Sequence, residues 1–191
     1  MLAQEDLLNQ LHRKDPEARK HVFTEHFGKL SAIAQRYCKN SEQANEALLT
    51  GFNNCLSLLQ QQRQAKTTNL PGFLEKEFIQ QCVLFVKNIR NEYYVSSTVH
   101  ATESSTRNYN LFENNELIDF NNVDTSVLIS SLQQLVPSQR LIFNLHVVDG
   151  FSLSDAAALL ESSEATVKSN LEKARYNLQK NIEKNLRMVK G

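Results

Sequence analysis

Short polar and basic residues gather at the start of an amphipathic helix predicted near the C-terminus. In ATVKSNLEKARYNLQK, which begins at Ala165, apolar residues recur every three or four positions and leave the opposite side polar. Hydroxyl and amide groups can bond base edges and phosphates, and ammonium groups neutralise phosphates. The candidate DNA contacts are Ser163, Thr166, Lys168, Ser169, Asn170, Lys173 and Arg175. Periodicity alone fits a plain helical hairpin with a solvated charged face equally well.

A shorter helix is predicted immediately before this one. Residues 152–155 have the spacing of a capping box, with Asp in place of the usual Glu or Gln, so a helix should begin near Leu153. Ala157 is predicted to lie where the two crossing helices come closest. A bulkier side chain at this position would force the helices apart. Residues 161–162 form the turn and Ser163 caps the next helix. The pattern predicts a helix-turn-helix within residues 132–180.

No constellation of residues suggests catalysis. The GxSxG, Walker and dinucleotide-binding glycine patterns are missing from the sequence. The histidines have no partners at metal-ligand spacing; they are His12, His21, His26, His100 and His146. We therefore expect a protein that is not an enzyme and that uses neither a metal nor another cofactor.

Three cysteines lie among apolar helical positions: Cys38, Cys55 and Cys82. Their number is odd and they form no CxxC pair, so we predict buried free thiols. No apolar run is long enough to span a bilayer, and the N-terminus does not have the pattern of a signal peptide. These features predict a cytoplasmic protein without membrane insertion.

The net charge of the chain is zero, since 21 basic residues balance 21 acidic ones. Nucleic-acid binders usually carry a basic excess, because phosphate neutralisation supplies much of their affinity. If this chain binds DNA, we expect weak contacts of its own and a larger partner that supplies the remaining affinity.

The composition predicts an all-α protein, because only 5 glycines and 3 prolines are present and helix-forming residues are plentiful. Residues 96–123 are rich in Ser, Thr and Asn and lack helical periodicity. We interpret them as a polar linker between two small helical domains, residues 1–95 and 124–191. The alternative is an ordered loop within one larger domain.

Helical boundaries in the first domain are marked by capping residues. Asp15-Pro16 should open the second helix and Ser41 the third. A fourth helix is predicted from about Phe73 to Tyr93, after a polar loop.

The stretch LQQLVPSQRLIFNLHVVDGFSLSDAAALLESSEATVKSNLEKARYNLQK closely resembles the promoter-reading region 4 of bacterial sigma-70 family sigma factors, in the extracytoplasmic-function group. Residues that match the family pattern in register are Arg140, Phe143, Leu145, Gly150, Ala157, Leu160, Ser163, Thr166, Val167, Lys168, Ser169, Leu171, Ala174, Arg175 and Leu178. The resemblance implies a helix-turn-helix that reads the upstream, minus-thirty-five promoter element.

Residues 1–95 resemble region 2 of the same family more faintly, through Arg36-Tyr37 and through ANEALLTGF at 44–52. In the family, the helix carrying the latter motif binds the clamp of core RNA polymerase. The resemblance places core-polymerase contacts at Glu46, Leu49 and Phe52. It places residues for the minus-ten promoter element at Phe73, Gln80 and Lys87.

The sequence departs from the family pattern at several positions. Leu49 replaces a Gln and removes its amide hydrogen bonds, and Pro137 comes one residue late. Glu161 replaces the turn glycine, which is costly if the position requires a positive φ. Asn170 stands where an Arg is frequent.

Two functions follow from the resemblance. One is a sigma factor whose partners are core RNA polymerase and promoter DNA, with an anti-sigma factor as a further candidate. The other is a degenerate sigma-like protein that serves as a protein-interaction or regulatory module without promoter melting. The neutral charge and Leu49 favour the second, and the region 4 motifs favour the first.

Overall fold

The computed structural model describes residues 4–61, 69–89 and 123–190, and all the regular elements in these ranges are helical, as predicted. Contacts divide the chain into two compact units, residues 1–85 and 86–191. The predicted linker lies almost entirely outside the described residues, so the domain boundaries at 95 and 124 stay predictions. No described helix combines the length and the apolar character needed to cross a membrane.

The first unit is built from four helices: α1 (Gln4–His12), α2 (Pro16–Tyr37), α3 (Ser41–Gln61) and most of α4 (Leu70–Asn88). Helix α2 begins as predicted, because the Asp15 carboxylate accepts a 2.8 Å hydrogen bond from the Ala18 amide and Pro16 occupies the first turn. Helix α3 also begins at the predicted residue, but its capping side chain is Asn40, which accepts from the Gln43 amide at 2.9 Å.

Helix α4 begins three residues before the predicted Phe73. The Asn69 side chain caps it by accepting a 3.0 Å hydrogen bond from the Gly72 amide. Pro71 is tolerated there because the first-turn amides have no intrahelical partner in any case. The helix ends at Asn88, before the predicted Tyr93, because the chain leaves the helical conformation at Ile89.

Helices α3 and α4 approach closely where α3 has no side chain. A Cβ added at Gly51 would lie 2.8 Å from the Phe78 ring. The largest fully buried residues of this unit are Leu11, Leu30, Ile33, Tyr37, Leu56, Leu59, Leu74 and Phe78. The side chains that separate α2, α3 and α4 are therefore apolar and tightly packed.

The second unit contains α5 (Thr125–Gln133), α6 (Pro137–Phe143), a π-helical turn (Asn144–Val148), α7 (Leu153–Leu160) and α8 (Glu164–Lys190). Arg140 is fully buried and donates to the backbone carbonyls of Gln133 and Leu135 at 3.0 and 2.8 Å. Gln133 is the last residue of α5 and Leu135 follows the cap of this helix, so a buried guanidinium satisfies carbonyls at and just after the end of α5. The apolar residues of α7 and α8 pack against α5, α6 and the π-helical turn.

The three cysteines are free and buried, as predicted. Burial is the main cause that raises the pKa of the Cys55 thiol to about 12, and the nearby Glu77 carboxylate adds to it. Because the thiolate is the reacting species, both access and ionisation suppress the reactivity of Cys55.

We predict that Cys55 in the folded protein resists alkylation by iodoacetamide at neutral pH. Its labelling rate should rise at least about tenfold when urea unfolds the chain, because unfolding restores access and an ordinary pKa. Peptide mapping by mass spectrometry after timed labelling measures the rate. Equal rates in the folded and unfolded chain would contradict the burial described above.

Candidate nucleic-acid interface

Helix α7 begins at Leu153, as predicted, because Ser152 caps it. The Ser152 hydroxyl oxygen accepts a 3.0 Å hydrogen bond from the Asp155 amide. The same hydroxyl donates to the Asp155 carboxylate at 2.6 Å, so Asp takes the place that Glu or Gln fills in the usual capping box. Ala156 and Ala157 are buried on the inner face of α7.

The turn between α7 and α8 is a Schellman motif with a non-glycine residue at its left-handed position. Glu161 has φ 53° and ψ 44°, and its amide donates to the carbonyl of Ala158. The Ser162 amide donates to the Ala157 carbonyl at 3.0 Å. This pair of bonds ends α7 and redirects the chain, as a left-handed residue after a helix does. The sequence-based concern about Glu161 is thus correct, since the turn requires a positive φ here.

The Glu161 carboxylate is bonded to Lys87, whose side chain is only 8% exposed. The Lys87 ammonium donates to Glu161 Oε1 at 2.7 Å and to the Leu159 carbonyl at 3.3 Å. The hydrogen bond and the charge of Lys87 hold the pKa of Glu161 below its usual value. Lys87, predicted from the resemblance to serve the minus-ten element, is here a cationic partner for the end of α7.

Helix α8 begins beside two exposed hydroxyl side chains. Ser163 Oγ accepts from the Thr166 amide at 3.1 Å, which confirms Ser163 as the capping residue. The Ser163 and Thr166 hydroxyls are also within 2.9 Å of each other. Both residues are exposed, so this hydroxyl pair faces solvent at the positive end of the helix dipole.

Helix α8 buries its apolar face and exposes most of the predicted DNA contacts. Val167, Leu171 and Ala174 are buried against the unit. Among the candidates, Lys168 and Arg175 are exposed, whereas Ser169 and Asn170 are half-buried. Lys173 is only 7% exposed, which leaves Lys168 and Arg175 as the exposed cations of α8 between Glu164 and Arg175.

The residues predicted to contact core polymerase lie on α3 but differ in exposure. Glu46 is exposed and Leu49 is 58% exposed, although it is a large apolar residue. Phe52 is buried and packs edge-on against the Phe23 ring, with centroids 5.0 Å apart. Glu46 and Leu49 are therefore on the surface of the first unit, whereas Phe52 is part of its core.

The remaining minus-ten candidates, Phe73 and Gln80, are half-buried on α4. Phe27, an apolar residue of α2 that is not among the predicted site residues, is 47% exposed and contacts Phe23 with ring centroids 5.6 Å apart. No described group of His, Cys, Asp and Glu side chains has the geometry of a metal site.

The Glu161 turn yields a prediction about stability. Both Glu161→Gly and Glu161→Ala remove the carboxylate that bonds Lys87, but only glycine removes the cost of a Cβ at positive φ. We expect the Gly variant to be about 1 kcal/mol more stable than the Ala variant. Urea unfolding of the full chain, followed by circular dichroism, measures the difference. Equal stabilities would show that the turn does not hold this residue in a left-handed conformation.

Comparison with known proteins identifies one family model and one solved structure that are similar to this chain. Residues 126–178 match the model of sigma-70 region 4. A solved structure of the sigma factor RpoE from Bartonella quintana, crystallised with the anti-sigma factor NepR, is 20% identical, with 86% of this chain and 96% of that chain covered and a TM-score of 0.48. No curated protein sequence matches significantly. The region 4 match confirms, for residues 126–178, the resemblance seen in the sequence: this part of the chain is similar to region 4 of sigma-70 family sigma factors.

Proposed function

We propose that this protein is a sigma factor of the extracytoplasmic-function group that directs transcription initiation in the cytoplasm. It would bind core RNA polymerase through the first unit and present the start of α8 to the minus-thirty-five promoter element. The observation that carries the proposal is the region 4 match on a helix-turn-helix whose second helix exposes its N-terminal turns. The proposal assigns the chain no catalysis and no cofactor of its own.

The start of α8 has the chemistry for reading a major groove. Its first-turn amides and the exposed Ser163–Thr166 hydroxyl pair favour an anion such as a DNA phosphate. Lys168 and Arg175 are seven residues apart, so they lie on nearly the same side of the helix and two turns from each other. Each can neutralise one phosphate on the edge of the groove.

Two exposed cations provide little affinity on their own. The salt dependence of binding grows with the number of phosphates neutralised, and this chain has no net positive charge to add to them. Polymerase would therefore hold the DNA, and α8 would select the position. This division of roles makes a neutral chain compatible with promoter recognition.

The decisive experiment is promoter-directed transcription with the full chain and its cognate core polymerase. We expect transcripts from a template bearing the cognate promoter, and a loss of about tenfold or more in Lys168→Ala/Arg175→Ala. Each lost phosphate contact should also reduce the salt slope by about 1, similarly for all sequences. Gel-shift titrations of the holoenzyme at several salt concentrations measure this slope.

The charge-matched control is Arg13→Ala/Lys20→Ala, which removes two exposed cations from the first unit. It should leave transcription unchanged. A control that lowers transcription as much as the α8 variant would assign the loss to net charge and not to α8. Failure of the wild-type chain to bind core polymerase would refute the proposal altogether.

The exposed side of α3 is the surface that we propose for core polymerase. Helix α3 contains no Lys or Arg, and Glu42 and Glu46 lie exposed one turn apart. Leu49 follows Glu46 by three residues and therefore extends the same side of the helix. A partner that fits this surface presents basic residues beside an apolar one, and burial of Leu49 would add hydrophobic stabilisation.

We predict that Leu49→Asp weakens core binding at least tenfold, because a carboxylate would be buried against an apolar contact. Leu49→Gln, which restores the family's residue, should bind at least as well as the wild type. Leu84→Asp is the matched control, since Leu84 is a similarly exposed leucine on α4. Biolayer interferometry with immobilised core polymerase measures the affinities. Unchanged binding by Leu49→Asp would remove α3 from the interface.

A degenerate sigma-like regulator is the second candidate, and Leu49 and Lys87 favour it. Leu49 lacks the amide of the family's glutamine, and Lys87 is engaged at the end of α7. An anti-sigma factor is also a proposed partner, because the RpoE structure contains one. Core binding without open-complex formation in the same reconstitution would favour this second function.

A further inference from the structure

Helix α8 continues well beyond the residues that match region 4. The match ends at residue 178, whereas the helix runs to Lys190. We call residues 179–190 the α8 extension. At 1.5 Å per residue, it adds roughly 18 Å of helix.

Polar contacts hold the α8 extension against α5. The Asn181 amide donates to the Ser131 carbonyl at 3.1 Å. The Asn185 side chain donates to Ser131 Oγ at 2.8 Å and accepts from the side-chain amide (Nε2) of Gln134 at 3.2 Å. Ile182 lies between these asparagines and is only 2% exposed. The extension is therefore an integral part of the second unit, and its outer face has a defined orientation.

That outer face is basic with one apolar residue. Lys180, Lys184 and Arg187 are exposed at the i, i+4 and i+7 positions of one stripe, and Met188 beside them is 62% exposed. Lys180 has an ion pair with Glu183 at 3.7 Å. Among the described residues, no carboxylate lies within ion-pair distance of Lys184 or Arg187. We call these four residues the basic face.

The basic face lies too far along α8 to share the groove with its N-terminal turns. A major groove about 12 Å wide is crossed by about eight helical residues. Lys180 and Arg187 are roughly 16 and 27 Å beyond Ser169 along the helix axis. A duplex read by Thr166, Ser169 and their neighbours therefore leaves the basic face uncovered.

We propose that the basic face is a docking site for an acidic partner protein, separate from the DNA-reading end of α8. The fitting partner presents carboxylates at helical spacing, i, i+4 and i+7, together with an apolar residue that covers Met188. Arg and Met are enriched at protein interfaces, and complementary charge fixes the register of such a contact. A helical segment with Glu along one side and a Leu within it meets these requirements.

A synthetic peptide of about 20 residues provides a defined probe, since this length supports a stable helix. It contains Glu at i, i+4 and i+7 spacing around one Leu. We expect nuclear magnetic resonance shifts in the full-length protein to cluster at residues 180–188. Lys180→Gln/Lys184→Gln/Arg187→Gln should weaken peptide binding about tenfold at low ionic strength.

Two matched variants separate this site from the DNA-reading end and from charge alone. Lys168→Gln/Arg175→Gln should weaken binding of a promoter duplex and leave peptide binding unchanged, and the triple variant should do the reverse. Met188→Ser, which keeps every charge, should weaken peptide binding about threefold because apolar burial is lost. Circular dichroism verifies that each variant is folded.

The proposal is overturned if the triple variant binds the peptide normally, if it loses duplex binding as the Lys168/Arg175 variant does, or if Met188→Ser has no effect. The second of these outcomes would assign the basic face to DNA. The peptide measurements use neither polymerase nor promoter DNA, so they fail or succeed independently of the proposed sigma-factor function.

Discussion

The left-handed turn at Glu161 sets the geometry of the helix-turn-helix, and the proposed DNA reading depends on that geometry. When a second helix follows directly after a first one in a new direction, two conditions must be met. The last carbonyls of the first helix need hydrogen-bond donors, and the chain must change direction within two or three residues. The amides of Glu161 and Ser162 satisfy those carbonyls, and Ser163 caps the next helix immediately afterwards. The small side chain of Ala157 then lets the two helices cross closely. If this turn opened, the start of α8 would lose its fixed direction.

Glycine is the usual residue at the left-handed position of such a turn, since a Cβ at positive φ is unfavourable. In this chain Glu161 occupies that position, and an ion pair with Lys87 compensates for the strain. Lys87 binds the carboxylate and a carbonyl at the end of α7 at the same time, and the lowered pKa of Glu161 reflects that attraction. An exposed carboxylate bonded to a largely buried ammonium ties residue 87 to the helix-turn-helix. The strain and the ion pair are thus two aspects of one local arrangement.

The protein has no net charge, but its charged residues are concentrated on separate basic and acidic surfaces. The chain is neutral, yet the start of α8 exposes two cations and the α8 extension exposes three. The outer side of α3 is acidic and apolar. Separate surfaces of opposite character suit a protein that joins several partners within one assembly, because each contact can be weak while the assembly is specific. Burial of Lys173 fits this pattern, as it removes one exposed cation from the end of α8 that is proposed to read DNA.

Local patterns in the sequence were sufficient for the helical class, the caps of α2 and α7, the Ser163 cap, the buried thiols and the region 4 family, because each depends on residues close together in the chain. The start of α4 was placed three residues late, since Asn69 caps it from within a polar loop whose role only the hydrogen bond reveals. Tertiary packing alone decided that Lys173 and Lys87 are buried while Leu49 and Phe27 are exposed. Periodicity assigns a residue to a side of its helix, but whether that side meets another helix or solvent depends on contacts between residues far apart in the chain. For the same reason, only the packing of α5 beside the α8 extension shows that Asn181 is half-buried and Asn185 buried, each as a hydrogen-bond partner of α5.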